Sequence, residues 1–487
     1  MVDEIYLKAL EKKASYLEPT REILDDWLSQ SNRYAKEFLE ERQTDHSFGP
    51  DFSAIHALEE FPIQDVPREL DQLIPLLKKS VDNPGVRPSS PGHLGYIPGG
   101  GVYSSAIGDF IAAFTNNFAG MYFGSPGAVK LENILIRWMM DMVGYPKTAF
   151  GNLPSGGSIG NLIAITSARD AKKINSSNIR QSVIYLTHQT HHCVLKAAQI
   201  AGLRECIVRQ VPVNDRFMMD TDALQTHINH DKAQGLNPFM IVGSCGTTDT
   251  GAIDDFATIG QIAIESACWF HIDAAYGGFY MLVHAMKDSF KGVELSDSIV
   301  MDPHKTLFLP YGSGAVLIKS REQMLNAHHE VGNCLQDAFN NNLEISPSDT
   351  SPELSKHFRG LRMWLPLQLH GVKAFRSALE EKHVLTLYFH EEVAKLGFTV
   401  GPIPQLSVCI YRYDSGDLDN DNKLNLALSI AVRENSKYFI STTTINQKVW
   451  LRIAVVNFRT HFSHIKEYLK ILEKETATLL VDAKIHA

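Results

Sequence analysis

Four short segments of this 487-residue chain carry side chains whose types and order suit a single chemistry. The first is Pro154-Ser155-Gly156-Gly157-Ser158, followed at once by the apolar helical pattern of Leu162, Ile163 and Ile165. A Gly-Gly turn with a hydroxyl at a helix start leaves backbone N–H groups free, and with the helix dipole these suit a phosphate. The ordinary alternative is Ser158 acting as an N-cap. The second segment is His271-Ile272-Asp273-Ala274-Ala275-Tyr276-Gly277-Gly278, where an apolar run ends in a carboxylate and then in small residues that leave room for something flat. The third, Asp302-Pro303-His304-Lys305, follows the apolar Ile299-Val300-Met301. Alone, Lys305 reads as a solvated charge. Paired with Asp273 it becomes specific, because an aldehyde cofactor needs a lysine for a Schiff base and a carboxylate to keep its pyridine nitrogen protonated. The fourth is His188-Gln189-Thr190-His191-His192, behind Val183-Ile184-Tyr185-Leu186. An imidazole at a strand end can stack on a planar ring, or can simply serve the structure.

The elements that must position these groups are legible in the chain's rhythm. From about 125 to 320, short β-type runs at 183–186, 239–242, 269–272 and 315–318 alternate with helix-length stretches at 158–173 and 255–266. That alternation predicts βαβ units around a mostly parallel sheet, whose ligands collect beyond the carboxyl ends of the strands. Residues 1–85 carry long helical patterns, with Ile23, Trp27, Tyr34, Phe38 and Leu39 near helical spacing, and read as an amphipathic arm. A cluster of turn formers between Pro84 and Gly101 breaks the pattern. The polar stretch from Phe339 to Pro352 breaks it again, as a linker or an active-site loop. Strands near 405–412 and 448–456 then fit a smaller α+β part. The expected division is an arm at 1–85, a large α/β domain at 86–350 and a small C-terminal domain at 351–487.

Composition bounds the function class. Lys plus Arg number 46 against 55 Asp plus Glu, a net charge of −9, which argues against a nucleic-acid partner. The six cysteines are widely spaced without a C-x-x-C, so neither a disulfide framework nor a metal site is expected. No apolar run approaches the roughly 20 residues that span a bilayer, and no signal-like start is present. The expected setting is cytoplasmic, without membrane contact.

Taken in order, Ser-Gly-Gly-Ser, a histidine after a strand, H-x-D-A-A-Y-G-G and D-P-H-K resemble the pyridoxal-phosphate-dependent group II amino-acid decarboxylases, the family of the aromatic-L-amino-acid, histidine and glutamate decarboxylases. The resemblance extends over most of the chain. It takes in Gly92-His93-Leu94-Gly95-Tyr96-Ile97-Pro98, Ser125-Pro126 through Leu131-Glu132, Phe358-Arg359-Gly360-Leu361-Arg362-Met363-Trp364, and Leu451-Arg452 with Asn457. It implies the fold-type-I architecture of pyridoxal-phosphate enzymes, with a seven-stranded type of mostly parallel sheet. It also implies that Lys305 forms the internal aldimine, that Asp273 pairs with the pyridinium, and that His191 and Ala275 lie on opposite faces of the ring. Gly157 and Ser158 are then expected at the phosphate with His304 assisting, and Thr247 near the cofactor, although its segment also reads as a turn. Family members are homodimers with sites at the subunit interface, which would give the arm a partner to clasp. The implied activity is decarboxylation of an L-amino acid to the amine and carbon dioxide. Related fold-type-I lyases and aminotransferases, which share the lysine and the aspartate, are the other class.

The sequence also departs from the family. The family assigns protonation of the substrate carbanion to a tyrosine on a mobile loop, yet no Tyr lies between Ser320 and Phe358, where the nearest aromatic is Phe339. In the family, Phe in place of that Tyr is associated with an oxygen-consuming route to an aldehyde, and His328 or His329 is an alternative donor. Lys356 stands where glutamate decarboxylases use an Arg to clamp a substrate carboxylate, and Lys lacks the bidentate fork. Tyr96 and Ile97 fall where the family contacts the substrate side chain, favouring a flat apolar one, or else they pack an interface. Thr306 replaces the usual Trp, with no consequence that we derive.

Overall fold

The computed structural model describes residues 3–42, 44–329 and 344–485. Its centre is a seven-stranded sheet. After the two-residue strands β1 (Phe48–Gly49) and β2 (Gly85–Val86), the sheet strands are β3 (Phe150–Asn152), β4 (Ser182–Leu186), β5 (Ile207–Gln210), β6 (Asn237–Ser244), β7 (Trp269–Asp273), β8 (Ser298–Met301) and β9 (Ala315–Ile318). Their spatial order is β3-β9-β8-β7-β6-β4-β5. Strands β5, β4, β6, β7 and β8 run parallel, while β9 is antiparallel to both of its neighbours. The central strands read as continuous apolar runs because both faces are covered, as parallel sheets require.

Two helical layers cover the sheet. One face holds α6 (Gly157–Ala171), α7 (His192–Ile200) and α11 (Arg321–His328), packed through Ile163, Ala164, Val194 and Met324. The other holds α5 (Pro126–Val143), α8 (Thr221–Ala233) and α9 (Phe256–Ser266), through Met139, Leu224 and Ile259. The strand period of two sorts β7 between these layers: Trp269 joins the first core, and Phe270 and Ile272 join the second. Helix α5 starts with Pro126 in its first turn and stops at Gly144, whose φ of 83° supplies the left-handed C-terminal turn.

The helix Arg359–Lys395 links the large sheet to a second one. It breaks at Gly371, where φ is 70°. Its first half packs on α5 and on α4 (Tyr103–Thr115), and its second half supports an antiparallel sheet of β10 (Thr399–Val400), β11 (Val408–Arg412), β13 (Lys448–Ala454) and β12 (Ser441–Ile445), in that spatial order. Helices Leu418–Asn435 and Phe462–Ile485 complete that smaller unit. At the other end of the chain, α1 (Glu4–Ala14) and α2 (Arg21–Glu41) bury no residue at all. Beyond α2 the arm is anchored: buried Arg42 pairs with Asp45 at 2.8 Å and Ser47 hydrogen-bonds Lys437. Among the described residues, no helix is long and apolar enough to cross a membrane.

Candidate active site

Four adjacent parallel strands end on one cavity. Asp273 closes β7, Asp302 to Lys305 follow β8, Gly246 and Thr247 follow β6, and Gln189 to His191 follow β4. The start of α6 forms the opposite wall with Ser155, Gly156, Gly157 and Ser158, and the cavity measures about 450 Å³. These are the carboxyl ends of the parallel strands, where an α/β sheet presents its side chains to ligands.

The two principal charges arrive from neighbouring strands. Lys305 Nζ lies 3.1 Å from Asp302 Oδ2. Burial alone would lower the Lys305 ammonium, but the carboxylates of Asp302 and Asp273 outweigh it and the net shift is upward. Asp273 Oδ1 accepts from the Ala275 N–H at 3.1 Å, and Oδ2 accepts from Asn161 Nδ2 at 3.4 Å. Both oxygens are thereby held in place while their other lone pairs stay free for a cation.

The two histidines of the cavity are held in different ways. His191 caps α7, its Nδ1 accepting from the Cys193 N–H at 3.3 Å, so its proton sits on Nε2. Burial lowers its basicity as well. His304 donates from Nδ1 to the Ser313 carbonyl, and burial again lowers its basicity. Thr247 Oγ1 shares a 2.7 Å hydrogen bond with Thr250 and takes the Ala252 N–H at 3.2 Å, so it belongs both to a turn and to the cavity wall. Cys193 lines the cavity too, but burial pushes its thiol up to about 12, which removes it as a nucleophile.

The helix start is free for an anion. The N-cap of α6 is Gly156, with no side chain capping the first turn, so Ser158 does not fill the N-cap role. Gly157 has no room for a larger residue, since an added Cβ would lie 2.9 Å from Asp302 Oδ2 and 3.3 Å from the Ala275 Cβ. Two buried oxygens at the cavity, Gln189 Oε1 and Asp302 Oδ1, have no hydrogen-bond partner. An uncapped helix start, a lysine and the Asp273 carboxylate lining one cavity fit a flat phosphate-bearing aldehyde. Among the described residues, no group of His, Cys, Asp or Glu is arranged to hold a metal ion.

Of the residues expected from sequence, the fold brings Gly157, Ser158, His191, Thr247, Asp273, Ala275, His304 and Lys305 to the cavity, and leaves Lys356, Tyr96, Ile97, His328 and His329 elsewhere. Lys356 is not among the lining residues: its Nζ binds Glu132 Oε2 at 2.8 Å and the Leu153 carbonyl at 3.2 Å, with both side chains fully buried. It supports the segment entering the α6 start from behind. Tyr96 points largely to solvent beside Phe439, and Ile97 packs on the main core. His328 bonds Ser167 and the Ile163 carbonyl, while His329 pairs with Asp349 at 3.3 Å, so neither lines the cavity. Phe339 lies outside the described residues. Asn161, which the sequence reading passed over, sits one turn into α6; the signal for it was a lone amide on an otherwise apolar helix face.

Both the sequence and the fold have known relatives. The model of the pyridoxal-dependent decarboxylase conserved domain matches residues 54–401. An aromatic-L-amino-acid decarboxylase of Bacillus atrophaeus is 30% identical over 408 residues, which cover 83% of this chain and 84% of that one. A phenylacetaldehyde synthase of Arabidopsis thaliana is 27% identical over 441 residues, 88% of this chain and 90% of the relative. In structure, the Oryza sativa TDC with PLP and tryptamine superposes with a TM-score of 0.89, covering 95% of this chain and 99% of its own at 20% identity, a likeness of fold.

Proposed function

This chain belongs to the pyridoxal-dependent decarboxylase family, carboxy-lyases that use pyridoxal phosphate, and from that premise we propose that it decarboxylates an aromatic L-amino acid to the amine. The observation that carries the reading is the convergence of Lys305, Asp273, His191 and the uncapped α6 start on one cavity. In this reading Lys305 holds the cofactor's aldehyde and Asp273 its ring nitrogen. Gly157 and Ser158 hold the phosphate beside His304, with His191 and Ala275 on the two faces of the ring and Thr247 at its edge. When bound, the cofactor supplies an electron sink for the pair left behind as the α-carboxylate departs.

The chain's own groups do the rest. Asp273, held at both oxygens, keeps a proton on the ring nitrogen and so keeps the sink deep. His191, neutral and protonated on Nε2, covers the ring without adding charge. Asp302 Oδ2, 3.1 Å from Lys305 Nζ, pairs with the ammonium and holds that side chain at the cavity. Lys305, Asp273 and the α6 start, fixed on separate elements of one cavity, would orient the bound group and so the substrate it carries. The aromatic preference draws on the likeness to the aromatic-L-amino-acid decarboxylase of Bacillus atrophaeus.

We place the enzyme in the cytoplasm as a homodimer. The exposed apolar faces of α1, α2 and α4, with Trp27, Phe110 and Phe114 open to solvent, are the surface such a partner would cover. A second reading, conversion of the amino acid to an aldehyde, is favoured by the absence of Tyr between Ser320 and Phe358 and by the phenylacetaldehyde synthase relative. Purified enzyme given each common amino acid, with carbon dioxide, amine, aldehyde and peroxide measured together, decides between them. Amine without peroxide supports the decarboxylase, aldehyde with peroxide supports the second reading, and turnover only with an added keto acid sinks both.

A further inference from the structure

Behind the Asp273 carboxylate runs a chain of buried hydrogen bonds that all point the same way. The Trp269 indole Nε1–H donates to Ser298 Oγ at 2.8 Å. The Ser298 hydroxyl meets His271 Nδ1 at 2.8 Å, and His271 Nε2 meets Asn161 Oδ1 at 2.7 Å. Asn161 Nδ2 then reaches Asp273 Oδ2 at 3.4 Å and Cys193 Sγ at 3.3 Å.

The direction of every bond follows from the two ends. An indole can only donate and an ionised carboxylate can only accept. Asn161 must therefore turn its amide nitrogen to Asp273, its oxygen takes the proton of His271 Nε2, and His271 Nδ1 is left as acceptor for the Ser298 hydroxyl. None of these links can be reversed without orphaning a buried group. The strand pleat builds the chain, because Trp269, His271 and Asp273 alternate along one face of β7 while Ser298 sits directly opposite His271 on β8. Asn161 descends onto the same face from α6, one turn beyond Gly157 at the start of that helix.

We infer that Asn161, His271 and Ser298 are positioning residues that fix the Asp273 carboxylate for the cofactor through a neutral, one-directional relay. The inference rests on the reading of Asp273 as the partner of the ring nitrogen. Neutrality is what makes the relay useful: an Arg or Lys at the Asn161 position would hold the carboxylate but also satisfy its charge, whereas an amide orients it and leaves the charge for the ring nitrogen. Full burial keeps His271 uncharged, down to a value of about 4. Because α6 carries both Asn161 and the anion-receiving turn, the relay also couples the placement of the phosphate to that of the ring.

The test is titration of apoenzyme with pyridoxal phosphate, reading the dissociation constant from the absorbance of the bound cofactor. Asn161→Ala and His271→Leu are expected to weaken binding by roughly tenfold to a hundredfold, the range of a lost hydrogen bond to a charged group. His271→Gln, whose amide nitrogen can stand in for Nε2, recovers most of the loss. Ser298→Ala, which removes a single hydroxyl, gives a smaller loss of a few-fold and serves should His271→Leu not fold. Introduced into Asp273→Asn, the same substitutions add less than about threefold, because their effect passes through the carboxylate. Binding within threefold of the parent for both Asn161→Ala and Ser298→Ala overturns the relay, as do equal losses with and without Asp273. If Asp273→Asn alone leaves binding unchanged, the pairing of Asp273 with the ring nitrogen fails first and the relay falls with it.

Discussion

Replacing Lys356 by Met separates a structural lysine from a substrate-binding one. The ammonium is 2.8 Å from Glu132 Oε2, neither side chain is exposed, and the other Glu132 oxygen accepts the Gly360 N–H at 3.0 Å. Removing the lysine strands a carboxylate in the interior, a loss on the order of 3–5 kcal/mol, whereas replacing both partners by neutral groups of similar size is often close to neutral. In equilibrium urea unfolding, Lys356→Met is expected to lose about that amount. Glu132→Gln with Lys356→Met, which keeps an acceptor for Gly360, returns to within about 1–2 kcal/mol of the parent. Lys356 also bonds the Leu153 carbonyl, just upstream of the α6 start, so the single variant weakens cofactor binding and leaves the KM of cofactor-saturated enzyme almost unchanged. Unchanged stability together with a selective rise in KM would refute this reasoning and return Lys356 to the substrate.

Three further outcomes are expected. His93 and His271 are buried, with burial depressing them to about 3 and about 4; being below their unfolded values, these shifts contribute stability that is complete above pH 6.5 and fades as pH falls toward 4. Each costs about 1.4 kcal/mol per pH unit in that window, so unfolding midpoints that stay constant from pH 7 to 5 contradict the assignment. Gly157→Ala, whose Cβ would stand 2.9 Å from Asp302 Oδ2, is expected to weaken cofactor affinity about tenfold or more by titration, and unaltered affinity removes the phosphate role of that turn. Asp at both Phe110 and Phe114, exposed on α4, is expected to give a monomer by light scattering, and a persisting dimer places the interface elsewhere.

Much of the cavity's lining was legible in sequence because its groups are set by local rules. A run of apolar residues that ends in Asp273, or in Asp302 to Lys305, marks the end of a parallel strand, and Gly156-Gly157 before an apolar helix marks an anion-ready start. Strand period and strand ends are properties of adjacent residues, so composition and spacing suffice to read them. The alternation around 183–318 predicted the sheet for the same reason. The helix from Arg359 was less legible: its break at Gly371 and its division between two units depend on what each half packs against.

What the sequence determined by itself was therefore the set of chemical groups and the ends of the strands that carry them, down to Lys305 and Asp273. What only the tertiary structure decided was which groups face one another. Lys356 and Glu132 are far apart in the chain and form an ion pair only because α5 and the helix start at Arg359 are packed together. Asn161 meets His271 only because α6 lies on the face of β7 that carries residues 269, 271 and 273. Tyr96 and Ile97, kept away from the cavity of a single chain, show the same limit. Contacts between distant segments are set by packing across the whole core, and burial then decides whether a charge pairs, stays neutral or remains free for a ligand.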